Sequence, residues 1–228
     1  MTVTKPSSKL RDIILGGQDG LVNVLGVILG VSAATPDMRI IIVSGLAATF
    51  AESISMAAVA YTSTEATLSE YYKSRKNEED LVDKDPESQK EDVRVVLRKW
   101  GFESELLEET TEKITQDKAR WVKFMMHEEL GLSKHTIENP VLSAIVVGLA
   151  SFGGSVIPLI PYFLINSAAP ASYIAISISA ISLFIVGFMK AKQTVGSPWT
   201  SGIKIMVIGM VSAFCGYLIG KVLGSASY

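Results

Sequence analysis

Long apolar runs alternate with short polar joints along this chain, and one polar stretch is much longer than the rest. Five runs reach the ~20 helical residues needed to cross a hydrocarbon layer about 30 Å thick. They cover residues 13–34, 39–63, 141–165, 173–189 and 203–223. The joints after the first, third and fourth runs are short (TPDM, NSAAPAS and KAKQTVGSPWTSG), and only the second joint is long. The second run passes from SISMAAVAYTS into TEATLSEYYKSRKNEEDL with no proline or glycine between them. That pattern predicts a helix that outlasts its apolar half.

The long polar joint reads as helical. Asp85-Pro86 supplies an N-cap and a first-turn proline, and Gly101 stands where a helix-ending glycine belongs. Between them Val93, Val96, Leu97 and Trp100 recur at i, i+3, i+4 and i+7, the spacing of one helical face. A second helix is expected over 104–114. A third is expected over 118–130, capped by Asp117 and ended by Gly131, with Trp121, Phe124 and Met125 on one side. The expected fold is an all-α integral membrane protein with five transmembrane helices. A small three-helix cytoplasmic metal-binding domain is inserted between helices 2 and 3. The expected divisions are 1–63, 64–140 and 141–228.

Charge strengthens this division. Residues 64–140 hold 19 of the 23 acidic and 13 of the 21 basic residues, a net of −6 against +4 elsewhere. An overall mean hydropathy of +0.34 conceals that segregation. The N-terminal MTVTKPSSKLR is polar, and no small-residue cleavage site follows the first apolar run, so no secretory signal is expected. The lone cysteine, Cys215, admits no intramolecular disulfide and reads as a small apolar filler. The slightly acidic balance and lack of a basic cluster argue against nucleic acid as a partner.

Orientation follows the Lys/Arg bias of the short flanks. Lys5, Lys9 and Arg11 precede the first run, and Lys190, Lys192 and Lys204 flank the fourth joint. The N-terminus, the acidic joint and the fourth joint are therefore expected in the cytoplasm, with the C-terminus outside. Gly26 and Gly30 form a GxxxG pair, which suits a helix at the bundle centre or at a dimer seam. Pro158 and Pro161 are expected to kink or locally open the third span.

Two constellations carry candidate chemistry. The first is Asp19, Glu52 and Met56, with Glu52 and Met56 on one helical face. Ionisable residues at membrane depth are costly and mark functional sites. Carboxylate oxygens with a thioether suit Fe²⁺ or Mn²⁺ better than Mg²⁺ or Ca²⁺. Removing a carboxylate from water favours its protonated form, so Asp19 and Glu52 can accept protons as a metal leaves. The alternative is an interfacial Asp19, with Glu52 hydrogen-bonded to a Ser or Thr of another helix. The second constellation is Met125, Met126 and Glu129, with Glu78, Glu79, Glu87, Glu91 and Asp92 able to converge if the helices fold back. The alternative there is a solvated acidic face with Met125 in a small core.

Nothing in the sequence has the form of a catalytic triad or a phosphate-cradling loop; GGQDG has no strand before it. Di-iron oxidases pair Glu-x-x-His motifs, and neither His127 nor His135 lies three residues after a glutamate. A membrane-anchored ferroxidase, or a metal-binding protein without transport, is therefore the lesser alternative.

Six blocks taken in order resemble the vacuolar iron transporter family: GGQDGLVNVLGVILGV, GLAATFAESISMAAVAY, the Pro-Glu helix ending WGF, RWVKFMMHEELGL, GGSVIPLIPYF and LFIVGFMKAK…SPWTSGIKIMVIGM. The resemblance covers residues 10–220. It implies a homodimer in a lipid bilayer that exports Fe²⁺, sometimes Mn²⁺, from the cytosol in exchange for protons. The membrane would be the vacuolar one in a eukaryote and the plasma membrane in a prokaryote. The family's residues fall on Asp19, Met56, Glu78, Met125, Met126 and Glu129. The family's acid in the second span falls on Ala48, with Glu52 one turn further on. Three further glutamate positions hold Leu81, Gln89 and Asp92, and Glu79 and Glu91 stand nearby as partial replacements.

Overall fold

The computed structural model describes residues 8–132, 138–192 and 196–225. His135 and Lys5 lie outside the described residues. Among the described residues eight helices follow one another: α1 (Ser8–Ala34), α2 (Met38–Lys84), α3 (Pro86–Lys99), α4 (Ser104–Thr115), α5 (Lys118–Glu128), α6 (Pro140–Leu164), α7 (Ala168–Lys192) and α8 (Pro198–Ser225). Helices α1, α2, α6, α7 and α8 are long and apolar enough to cross a membrane. The chain divides into two compact units, one of residues 1–61 with 140–228 and the other of residues 62–139. Helix α2 contributes its apolar half to the first unit and its polar half to the second.

In the first unit α1 is the central element. Leu21, Val24, Leu25, Ile28 and Leu29 are buried and pack with Ile41, Leu159, Tyr162, Ala171 and Ala175. Close approach of backbones explains why α1 is so rich in glycine. A Cβ on Gly30 would lie 2.8 Å from the carbonyl oxygen of Gly216 in α8, and one on Gly220 would strike the Gly30 carbonyl. The GxxxG pair of α1 therefore meets a matching Gly216/Gly220 pair in α8, within one subunit. On another side of α1, a Cβ on Gly154 of α6 would strike Gly17. Outward positions such as Val43, Phe50, Ile54, Leu149 and Ile181 are exposed and apolar, as expected of surfaces facing lipid rather than water.

Helix α6 runs through Pro158 and Pro161 without interruption, so the expected opening does not occur. Both prolines are buried, and packed neighbours stabilise the helix across the missing hydrogen bonds. The hydroxyl groups of Tyr162 and Ser172 lie 2.8 Å apart, and those of Ser32 and Ser172 lie 2.9 Å apart, which ties α6, α7 and α1 together.

The second unit has its own core of Tyr71, Val82, Val93, Leu97, Leu107, Trp121, Val122, Met125 and Met126. Helix α3 begins where Asp85 accepts a hydrogen bond from the Ser88 amide at 3.2 Å. It ends in a Schellman motif, with Gly101 N donating to Arg98 O and Phe102 N donating to Leu97 O. Gly101 takes φ +86° there, a conformation glycine reaches without a side-chain clash. Asp117 caps α5 through the Arg120 amide at 2.7 Å. Val93, Val96 and Leu97 are buried as their spacing predicts, but Trp100 is 53% exposed and packs edge-on against Phe124.

Candidate metal sites

Two groups of acidic side chains gather donors, one in each unit. In the first unit Asp19 projects from the fourth turn of α1, a helix held centrally by its glycine contacts. Glu52 projects from the apolar half of α2. That half is anchored by one stripe, in which Ile41, Thr49 and Ser53 are buried and Gly45 abuts Leu159 and Ile28. The Thr49 and Ser53 hydroxyls donate back to the carbonyls of Gly45 and Thr49 at 2.8 and 2.6 Å. These bonds tie both hydroxyls to the α2 backbone rather than to Glu52. Glu52 instead lies within hydrogen-bonding reach of Asp19 and Asn23, both on α1. Ala48, Glu52 and Met56 are partly buried along the adjoining stripe of α2. Asn23 was absent from the sequence-derived set. Its i+4 spacing from Asp19 was the available signal.

In the second unit Glu78, Asp92 and Glu129 come from α2, α3 and the C-cap of α5. Glu78 lies fifteen residues beyond the apolar run of α2, about 22 Å along a helix at ~1.5 Å per residue. It is 6% exposed, and its Oε2 is buried with no hydrogen-bond partner. Burial pushes the Glu78 carboxyl above its ordinary value, and the charges of Glu129 and Asp92 push it the same way. Burial and Asp92 also raise Glu129, while Lys99 opposes them. Glu78 therefore lies in the field of Glu129 and Asp92, and Glu129 in that of Asp92. Among the described residues, no three His, Cys, Asp or Glu side chains close on a common point as a finished cage.

The remaining candidates have other partners. Glu79 accepts from Arg75 Nε at 2.9 Å. Glu91 accepts from Arg98 Nη1 at 2.8 Å and Arg94 Nη1 at 3.2 Å, and those bonds hold its carboxyl below the ordinary range. Neither is drawn to the Glu78 group. Met125 and Met126 are buried in the apolar core of this unit, with Glu129 on the turn that follows. Leu81 is 43% exposed. His127 Nδ1 lies 2.5 Å from Glu128 Oε1 at the surface.

Comparison with known proteins places nearly the whole chain beside one family. The sequence profile of the VIT family matches residues 10–221. Curated relatives include "Vacuolar iron transporter 1" of Tulipa gesneriana, 28% identical over 216 residues, spanning 95% of this chain and 87% of the relative. The protein of the same name from Arabidopsis thaliana is 29% identical over 214 residues, 94% of this chain and 86% of that one. "Vacuolar iron transporter" of Plasmodium falciparum is 28% identical over 223 residues, 94% and 82% of the two chains.

Proposed function

The chain belongs to the VIT family, and we propose on that basis that it transports Fe²⁺, and with it Mn²⁺, out of the cytosol in exchange for protons. It is a transporter rather than an enzyme. The observation that carries this reading is the meeting of Asp19 and Glu52 between two apolar helices. A membrane rarely tolerates paired carboxylates unless an ion or a proton neutralises them.

The cytosolic ion is first collected by Glu78, Asp92 and Glu129, with the thioethers of Met125 and Met126 beside them. It then passes to Asp19, Glu52 and Met56 in the spanning helices. One subunit offers four side chains there, Asp19, Asn23, Glu52 and Met56, fewer than the six ligands an octahedral ion takes, which supports a homodimer with a shared path. As the ion leaves toward the far side, Asp19 and Glu52 take up protons, and their return resets the site. The Lys/Arg bias of the short joints supports a cytoplasmic N-terminus and acidic unit, with the C-terminus outside. The membrane is vacuolar in a eukaryote and the plasma membrane in a prokaryote. Purified protein reconstituted in liposomes, with a metal-quenched dye inside, tests the proposal directly.

A further inference from the structure

The end of α1, the start of α7 and the second half of α8 border a cavity of about 830 Å³ that shares no residue with either candidate metal group. Its size falls within the roughly 300–1,000 Å³ of small-molecule sites. Among the described residues no charged side chain lines it. Its wall changes character with depth. Ser32 and Ser172 lie within about one turn of a helix end. Leu29 and Ile176 lie about one turn deeper, and Met210 about two turns deeper than Tyr217. The cavity is therefore polar at the level of the helix ends and apolar below, the profile of one bilayer leaflet. Tyr173 and Tyr217 stand at its polar level, where amphipathic aromatic rings are favoured.

The polar level has a definite hydrogen-bond sense. Ser172 donates its only hydroxyl proton to the Ala168 carbonyl at 2.8 Å. Tyr162 and Ser32, whose oxygens lie 2.8 and 2.9 Å from that of Ser172, therefore donate to it. All three protons are spent inside the cluster, and Ser32 offers the cavity only acceptor lone pairs. A matching occupant is uncharged, apolar over most of its length and able to donate a hydrogen bond at one end.

We propose that this cavity binds a neutral lipid ending in a hydroxyl group, of the acylglycerol or lipid-alcohol type. Its tail lies along Leu29, Ile176 and Met210, and its hydroxyl donates to the Ser32 oxygen. An anionic phosphate headgroup finds no cation on this wall to pair with, so charge selects the neutral lipid over an acidic one. The occupant packs against α1, α7 and α8 together, and so braces the central helix from the side that the glycine contacts leave open.

The test uses the full-length protein in phosphatidylcholine nanodiscs and two photoreactive probes with the same diazirine-bearing acyl chain. One is a monoacylglycerol, which carries hydroxyl donors. The other is the fatty acid methyl ester, which carries only acceptors. Labelled peptides are mapped by mass spectrometry. The monoacylglycerol is expected to label the start of α7 and residues 210–217 of α8 about fivefold more than the methyl ester does. Ser32→Ala is expected to remove that preference and leave methyl ester labelling unchanged. Ala169→Trp, at an exposed position of the wall, is expected to fill the cavity and suppress labelling there by both probes, with an unchanged melting temperature as the folding check. Equal labelling by the two probes, or a preference that survives Ser32→Ala, overturns the proposal. Uniform labelling of all five spans, the mark of ordinary lipid contact, overturns it too. Labelling that avoids the cavity, as a second copy of the chain seated there would give, overturns it equally.

Discussion

Asp19 of α1 and Glu52 of α2 stand within hydrogen-bonding reach of each other, although 33 positions separate them in the chain. A hydrogen bond between two carboxyl groups needs a proton on one of them. A divalent cation can take that proton's place. On the proposed reading, the pair would be one location where metal and proton exclude each other, which is the minimum that coupled exchange requires. Glu52→Gln keeps the shape and a hydrogen bond but removes one exchangeable charge. Loss of a charge-assisted ligand of ~1.5–3 kcal/mol corresponds to about 10- to 100-fold weaker metal transport. Initial uptake rates in liposomes measure it, with the elution profile on size exclusion as the folding control.

The acids of the second unit predict a pH response with a definite sign. Burial and mutual repulsion raise Glu78 and Glu129 above the ordinary 4.5. Their contribution to stability is therefore fully present below 4.5 and is lost as pH rises through the raised values. The metal-free unit is expected to soften on going to neutral pH, and divalent cations are expected to restore it. Metal binding needs the ionised forms, so Mn²⁺ affinity should fall as pH drops toward the raised values. Melting temperatures with and without Mn²⁺ across pH 4 to 8 check both halves of the statement.

Glu79 and Glu91 are predicted to be dispensable for capture, because each pairs with arginine outside the Glu78 group. Exposed pairs of this kind contribute little. Glu79→Gln and Glu91→Gln should keep Mn²⁺ affinity within about twofold of the wild type, against losses of about tenfold or more for Glu78→Gln. Isothermal titration resolves the difference.

Packing around α1 gives a stability prediction. A side chain at Gly220 must displace the Gly30 backbone, whereas a Cβ at Gly153 meets only open space. Overpacking a tight contact costs about 1–3 kcal/mol, so Gly220→Val should lower the melting temperature clearly. Gly153→Ala should leave it unchanged. A scan of both variants in one detergent is sufficient.

Periodicity and composition made the helices legible. The five apolar runs could be delimited by length, and the caps of α3 and α5 could be placed from Asp85-Pro86, Asp117 and their ending glycines. The behaviour of Pro158 and Pro161 was not legible, because what closes a proline-containing helix is supplied by its neighbours. Among the acids, sequence spacing alone placed Glu78, Glu79, Glu91 and Asp92 on equal terms. Their separation into an inward group and an arginine-paired group depends on which residues face the small core. Asn23 was overlooked as a donor because it is uncharged, whereas Gln89 had been marked as standing at a glutamate position of the family. The signal for Asn23 was its helical spacing from an acid, four residues after Asp19.

The most direct test of proton-coupled export is Fe²⁺ and Mn²⁺ flux into liposomes bearing this protein, with an imposed pH gradient and with none, for the wild type and Glu52→Gln. The account predicts uptake that accelerates when the metal-receiving side is acidic, carries protons the opposite way, and falls about 10- to 100-fold in Glu52→Gln. Equal flux with and without the gradient, or full gradient-driven flux in Glu52→Gln, would contradict it.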